Sequence, residues 1–134
     1  TFGKDVAFTT ALGETVTVNS CDYGWQLDQA SEVAKLKEYL LKGESTVREP
    51  LWLKMGVART ANGVGDTYVE IDYTNQRMWF YKDGQLLVDT QVVTGNTSKD
   101  MGSPLGIFAL YYKETHAILK GEDYKAPVEF WMPF

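Results

Sequence analysis

Nucleophilic, acid–base and metal chemistry draw on cysteine, histidine and carboxylates, and this sequence holds the first two once each, as Cys21 and His116. A catalytic thiol needs a nearby base and surroundings that lower its pKa. Cys21 stands in "VNSCDYGW", where the adjacent Asp22 would raise a thiol pKa, and His116 lies far along the chain in a segment without clear periodicity. Both read as ordinary residues, a small side chain and a surface imidazole. One cysteine and one histidine cannot build a zinc site, and a lone cysteine cannot close an intramolecular disulfide. No serine sits in a Gly-x-Ser-x-Gly elbow, so a serine nucleophile would have only His116 to serve it. Among carboxylates, Glu70 and Asp72 share one strand face and Glu122 adjoins Asp123. A facing pair suits glycoside hydrolysis, but the commoner role is a solvated strand face. "GNTSKDMGSPLG" (95–106) matches no phosphate-binding spacing. Four tryptophans and eight tyrosines remain. Strand aromatics usually fill cores, which leaves Tyr124 and Trp131 as candidates for a carbohydrate or peptide groove. By themselves the residues nominate no catalytic group, no metal ligand and no cofactor site.

The elements that would hold such groups are mostly strands. "VAFTTALGETVTV" (6–18) reads as a hairpin, with Phe8 and Thr10 alternating before Leu12-Gly13 and Val16 and Val18 after it. "DYGWQLD" (22–28) is a short apolar-rich piece with Tyr23, Trp25 and Leu27 on alternate positions. A helix is predicted over 29–42, with Asp28 as N-cap, Glu32 in the first turn, Lys42 in the last and Gly43 beyond it. Its stripe of Val33, Leu36, Tyr39 and Leu40 predicts a core-facing side. "LWLKMGVA" (51–58) suits a strand, and the polar, glycine-rich "RTANGVGD" (59–66) marks a boundary. After it, "TYVEIDY" alternates, with Val69 and Ile71 inward and Glu70 and Asp72 outward. "RMWFYK", Asp83-Gly84 and "QLLVDTQVV" predict a two-residue hairpin, since glycine tolerates the positive φ of that turn. A loop follows over 94–106, then a strand over 107–113, a less regular stretch over 114–126 and a last extended piece over 127–131. The fold class is α+β, mainly antiparallel β. A small mixed α/β module over 1–60 precedes an incomplete β-sandwich-like domain over 61–134, whose strands have no helix to cover their apolar faces.

At 44% hydrophobic and 23% charged, the 134 residues have globular composition. Thirteen Lys and Arg against 18 Asp and Glu give a net charge of −5, with no basic run. Nucleic-acid binding needs a basic face and is not expected. No stretch approaches the roughly 18 apolar residues of a membrane-crossing helix, and none of these residues is expected to act as a signal peptide. Thr1 in place of methionine predicts a cut within a longer protein. "PVEFWMPF" (127–134) ends the sequence on large apolar side chains where a polar tail is usual, so its packing neighbours are expected elsewhere. Open strand edges and bare apolar faces predict self-association.

The stretch "TYVEIDYTNQRMWFYKDGQLLVDTQVVTGNTSKDMGSPLGIFALYYK" (67–113) resembles the start of the L,D-transpeptidase catalytic domain. The likeness rests on the opening strand, Gln76 before an aromatic strand, the Asp83-Gly84 hairpin, "VVTG" (92–95) and "SPLG" (103–106), where the family usually reads threonine-proline-x-glycine. Ser103 is a mild departure. "GEDYKAPVEFWMPF" (121–134) resembles the family's substrate lid and the strand leaving it. Residues 1–60 resemble, less specifically, the C-terminal part of a peptidoglycan-binding-type module, through "FTTALGETVTV" and "DYGWQLD". The resemblance implies peptidoglycan cross-linking, in which a cysteine thiolate attacks the carbonyl between the L- and D-centres of a tetrapeptide stem and the acyl group passes to an amine of a neighbouring stem. The family's serine-histidine-glycine-cysteine motif does not occur here and Cys21 does not match it. No catalytic residue is carried over, and this chain alone is expected to be inactive. The lid pattern implies substrate contacts at Tyr124, Pro127 and Val128, with Leu119 nearby and Trp131 on the strand leaving the lid. It also implies stem peptides as partners and an extracytoplasmic location, at the cell wall or the outer face of the cytoplasmic membrane. The main competing reading is a non-catalytic peptidoglycan-binding module whose exposed aromatics hold glycan or stem peptide. A different β-rich enzyme using Cys21 is the third.

Overall fold

The structure, a computed structural model, describes residues 2–60, 62–121 and 124–134. The readings placed on Thr1 and on the Glu122–Asp123 pair lie outside the described residues. The alternation over 6–18 does give a hairpin: β1 (Asp5–Thr9) and β2 (Thr15–Asn19) pair antiparallel, from Asp5 opposite Asn19 to Thr9 opposite Thr15. β3 (Gln26–Leu27) pairs with β4 (Trp52–Lys54), and α1 (Gln29–Lys42) is the excursion between them. Local chemistry sets both helix ends. Asp28 Oδ1 accepts from Ser31 N–H at 3.0 Å. At the other end Gly43 takes φ 66° and Glu44 N–H donates to Tyr39 O at 3.0 Å. An N-cap of this kind contributes about 1 kcal/mol.

The expected core side of α1 is absent. Val33, Leu36 and Leu40 are 49%, 48% and 81% exposed, and Tyr39 is half-covered beneath the Lys35 and Arg48 cations. The period of the stripe is helical, but among the described residues no strand packs closely on it. Polar contacts hold the helix instead: Glu32 accepts from Leu51 N–H at 3.0 Å and from Arg48 Nη2 at 2.8 Å. Among the described residues no helix is long and apolar enough to cross a membrane.

β5 (Tyr68–Asp72), β6 (Arg77–Lys82) and β7 (Gln85–Gln91) form an antiparallel meander. Asp83 and Gly84 take φ 50° and 76°, the two left-handed positions of a type I′ turn. A bulge at Phe80/Tyr81 leaves Leu87 as an extra residue in β7. The faces of β5 follow the expectation only in part, since Ile71 is half-buried as expected but Asp72 is too. Val69 is 51% exposed, whereas Tyr68 and Glu70 are half-buried, because β1–β2 lies over their side. Phe8 meets Tyr68 edge-on at 5.6 Å, and Tyr68 stacks on Tyr81 at 4.9 Å. Each such pair is worth about 1 kcal/mol beyond its buried area. Ala11 N–H donates to both Glu70 oxygens at 3.0 Å. Alternation gives the two faces of a strand but not which one a distant segment will cover.

β8 (Glu114–Lys120) and β9 (Lys125–Trp131) make the last hairpin. The stretch 114–126, less regular in sequence, therefore holds a full strand, while 107–113, expected as a strand, joins no ladder. Residues 108–112 instead meet the apolar C-terminal run. Tyr111 N–H donates to Pro133 O at 2.9 Å, and the Phe108 and Phe134 rings lie 6.0 Å apart. The class is α+β, mainly antiparallel β with one α-helix among the described residues. Its buried side chains among the described residues are few: Val6, Tyr23, Trp79, Ala117 and Ser20.

Candidate functional site: the β8–β9 hairpin and the loops behind it

The five residues singled out for substrate contact all lie on the β8–β9 hairpin, which pairs from Glu114 opposite Trp131 to Lys120 opposite Lys125. At its tip, Gly121 N–H donates to Tyr124 O at 3.0 Å. The Tyr124 ring folds back over Gly121, where a Cβ would fall 2.7 Å from ring Cδ1. Glycine is what lets the ring lie on the turn. The ring itself is 59% exposed. Further down, Leu119 and Val128 are half-buried beside buried Ala117, with Ala117 opposite Val128 and Leu119 opposite Ala126. These residues form one apolar face. Pro127 pairs with Ile118, and both are exposed. Trp131 sits at the base, where its Nε1–H donates to Tyr112 Oη at 3.3 Å. β9 is 7 residues long, so at ~3.3 Å per residue Trp131 stands roughly 20 Å from the tip. The fold thus groups Leu119 with Val128, leaves Tyr124 at the tip, turns Pro127 to the other side and ties Trp131 to a separate segment.

His116 takes φ 57° in the middle of β8, and no ladder pair forms between it and Glu129. Across that point the half-buried positions of β9 change phase, from 126 and 128 to 131. A positive φ at a non-glycine residue inside a strand is uncommon and kinks it locally.

Cys21 is far from this hairpin in role. Its Sγ donates to Asn19 O at 3.6 Å and Leu105 O at 3.7 Å, and a Cβ on Gly106 would collide with the sulfur. Ile107 N–H donates to Asn19 O at 3.0 Å, and Tyr73 Oη donates to Pro104 O at 2.7 Å. The thiol is packing material in a joint between the end of β2 and the "SPLG" loop. Among the described residues, His116 is not one of its partners.

The residues flagged in "VVTG" and "SPLG" prove to be fasteners. Gln76, at φ 50°, donates through Nε2 to Tyr73 O and Thr94 Oγ1, both at 2.6 Å, and accepts from Thr94 N–H at 2.9 Å. Gly95 N–H donates to Ser103 Oγ at 2.9 Å. A threonine hydroxyl would accept the same bond, so Ser103 keeps the function of the residue it replaces. A Cβ at Gly95 would lie 2.7 Å from Ser103 N, which leaves room only for glycine.

The carboxylate pair has structural work to do. Burial pushes the Glu70 carboxyl up, against the opposing pull of Ala11 N–H, and the Asp72 charge adds to the rise. Asp72 is held low, chiefly by the Asn75 backbone N–H and then by its side-chain amide and Thr74 N–H. One carboxylate docks the N-terminal hairpin and the other caps the β5–β6 turn. Among the described residues no three His, Cys, Asp or Glu side chains converge as a metal site requires. Sequence reasoning missed one feature, a groove between the β1–β2 loop and β6–β7. Arg77 and Trp79, alternate residues of β6, mark its floor, but only tertiary packing supplies its roof.

Residues 66–130 match the YkuD family, the L,D-transpeptidase catalytic domain. A solved cysteine-to-serine variant of the Enterococcus faecium L,D-transpeptidase is 35% identical, with a TM-score of 0.78, 98% of this chain and 53% of that chain being covered. The Ldtfm–avibactam carbamoyl enzyme is also 35% identical with a TM-score of 0.78, covering 97% of this chain and 51% of that one. The chain spans about half the length of each. No curated protein matches it in sequence. Residues 66–130 thus carry the L,D-transpeptidase catalytic-domain match, and over nearly its whole length the chain is similar to these two enzymes.

Proposed function

We propose that the chain supplies the substrate-holding part of a peptidoglycan-cross-linking L,D-transpeptidase. Residues 61–134 form the N-terminal part of its transpeptidase-like β domain, with the lid, and residues 1–60 the C-terminal part of a peptidoglycan-binding-type module. The observation that carries this reading is the family match over 66–130, which takes in β8 and all of β9 but its last residue. The stem peptide lies against the apolar face of the hairpin, over Leu119 and Val128, with the Tyr124 ring closing from the tip. Pro127 and Trp131 meet it at the outer edge and the base. Work on peptidoglycan puts the protein outside the cytoplasm, at the cell wall or the outer face of the cytoplasmic membrane. Acyl transfer in this family needs a cysteine thiolate, and the one cysteine present is Cys21. With its thiol committed to the Asn19 and Leu105 carbonyls, the 134 residues alone bind without cleaving. The same commitment favours the second reading, a wall-binding module that acts without catalysis.

The test is a titration of a stem tetrapeptide into the isotope-labelled chain, followed by NMR. Amide shifts at 117–119 and 126–128 are expected, with affinity falling about tenfold in Tyr124→Ala, the order of one lost aromatic anchor. Shifts elsewhere, or an affinity indifferent to Tyr124, would remove the hairpin from the substrate site.

A further inference from the structure

The β1–β2 loop overhangs the central sheet and leaves a groove of about 540 Å³ between Leu12 and the β6–β7 ladder. Ligand sites run to roughly 300–1,000 Å³ and favour junctions between chain segments. Among the described residues, none of the β8–β9 hairpin lines this one. Strand register builds its floor. Glu70, Trp79 and Asp89 stand opposite one another across the three strands, and Asp72, Arg77 and Gln91 form the next row. Trp79 is 4% exposed, and the Arg77 guanidinium lies 5.4 Å over its ring.

The lining selects the ligand. Arg77 Nε and Nη2 donate to the two Asp89 oxygens at 2.6 and 2.7 Å. This planar pair neutralises itself, so the groove has no spare cation for a phosphate or a free carboxylate. Asn75 Nδ2 donates to Asp72 Oδ2 at 2.7 Å and the Thr90 hydroxyl to Gln91 O at 3.4 Å, which leaves the Asn75 and Thr90 side-chain oxygens as acceptors and the Gln91 carboxamide to donate and accept, beside the apolar Leu12. A neutral polyhydroxylated chain has the matching surface. Its hydroxyl and acetamido groups also donate and accept, and its ring faces are apolar. The groove is open to solvent, which suits a strand passing through rather than a small molecule held whole.

We infer that this groove binds the glycan strand of peptidoglycan, a chain of β-linked N-acetylated amino sugars, while the β8–β9 hairpin holds the stem peptide. The inference rests on peptidoglycan being the substrate. It adds a second site, shared between residues 1–60 through Leu12 and residues 61–134 through the sheet.

Peptide-free glycan strands and, separately, a stem tetrapeptide are titrated into the full labelled chain. The glycan strands are expected to shift the amides of Leu12, Asn75, Arg77 and Gln91 and to leave 114–121 and 124–131 unmoved. Gln91→Ala should weaken glycan binding roughly fivefold, the loss of one neutral hydrogen bond. Gln91 is exposed on an edge strand, so that variant keeps the fold. Leu12→Ser should weaken it similarly, and Tyr124→Ala should leave it unchanged. If the tetrapeptide engages the hairpin but glycan leaves the groove amides unmoved, the glycan site is wrong and the proposed function stands. A tetrapeptide that shifts the groove in place of glycan overturns the inference in favour of a peptide cleft. If neither ligand binds, both readings fall.

Discussion

Replacing Gln76 by alanine removes three hydrogen bonds at once, two donated to Tyr73 O and Thr94 Oγ1 at 2.6 Å and one accepted from Thr94 N–H at 2.9 Å. At ~1 kcal/mol for each neutral bond, and with water replacing part of the loss at this half-buried position, Gln76→Ala should cost about 2–3 kcal/mol. Glycine separates the side chain from the backbone. Gln76 sits at φ 50°, where an L-residue is strained by ~1 kcal/mol relative to glycine. Gln76→Gly lacks the same three bonds but not that relief, so it should be about 1 kcal/mol more stable than Gln76→Ala. Urea unfolding of the parent and both variants gives the two differences, and amide exchange at Thr94 should quicken in both. A cost below ~0.5 kcal/mol for alanine would show that the clamp does not hold "VVTG" in solution. Equal stability of the two variants would show that the left-handed backbone is not maintained.

Glu70, with its carboxyl raised by burial, is less stabilising when ionised, so its contribution improves as pH falls through the folded-state pKa towards the unfolded one. Asp72 behaves oppositely: its pKa is depressed by Asn75, and its contribution is lost as pH falls from its ordinary range through the folded value. Glu70→Gln should therefore compare best with the parent near about pH 7 and lose that advantage towards about pH 4. Unfolding midpoints differing by a constant amount across that range would contradict the assignment. Gly106→Ala puts a Cβ onto Cys21 Sγ and 3.2 Å from Asn19 O. It should cost about 1–3 kcal/mol by overpacking and speed the reaction of Cys21 with a disulfide reagent, whereas an unchanged thiol rate would place Cys21 outside this joint. β7 is exposed along its whole length and, among the described residues, has no strand partner on its outer side. Sedimentation should show concentration-dependent association that Leu86→Lys reduces, and a monomer at every concentration would count against it.

What was legible in the sequence was what neighbouring residues decide among themselves. Asp28, Gly43 and Asp83-Gly84 act through their own backbone, so α1 and the β6–β7 turn fall where these residues put them. What was not legible depends on distant chain. The Val33–Leu36–Leu40 stripe has a helical period whether or not anything covers it. Val69 and Tyr68 alternate equally well with either face inward, and Phe8 and Ala11, some sixty residues away, decide the matter. The strand over 114–120 was obscured by Glu114, His116 and Lys120 at its exposed positions, while "IFALYYK" had strand composition without a strand partner. The site divides in the same way. Family pattern drew attention to Tyr124, Pro127, Val128 and Gln76, but the pairing of Pro127 with Ile118, the bond from Trp131 to Tyr112 and the three bonds of Gln76 exist only once the chain is folded.

That these 134 residues hold substrate without carrying the nucleophile is tested most directly by intact-mass spectrometry after incubation with a carbapenem, a β-lactam class that acylates the cysteine of L,D-transpeptidases. The expected spectrum is the unmodified chain, at 15.1 kDa. A single adduct that disappears in Cys21→Ala would contradict this, by making Cys21 an activated nucleophile despite its hydrogen bonds to Asn19 and Leu105.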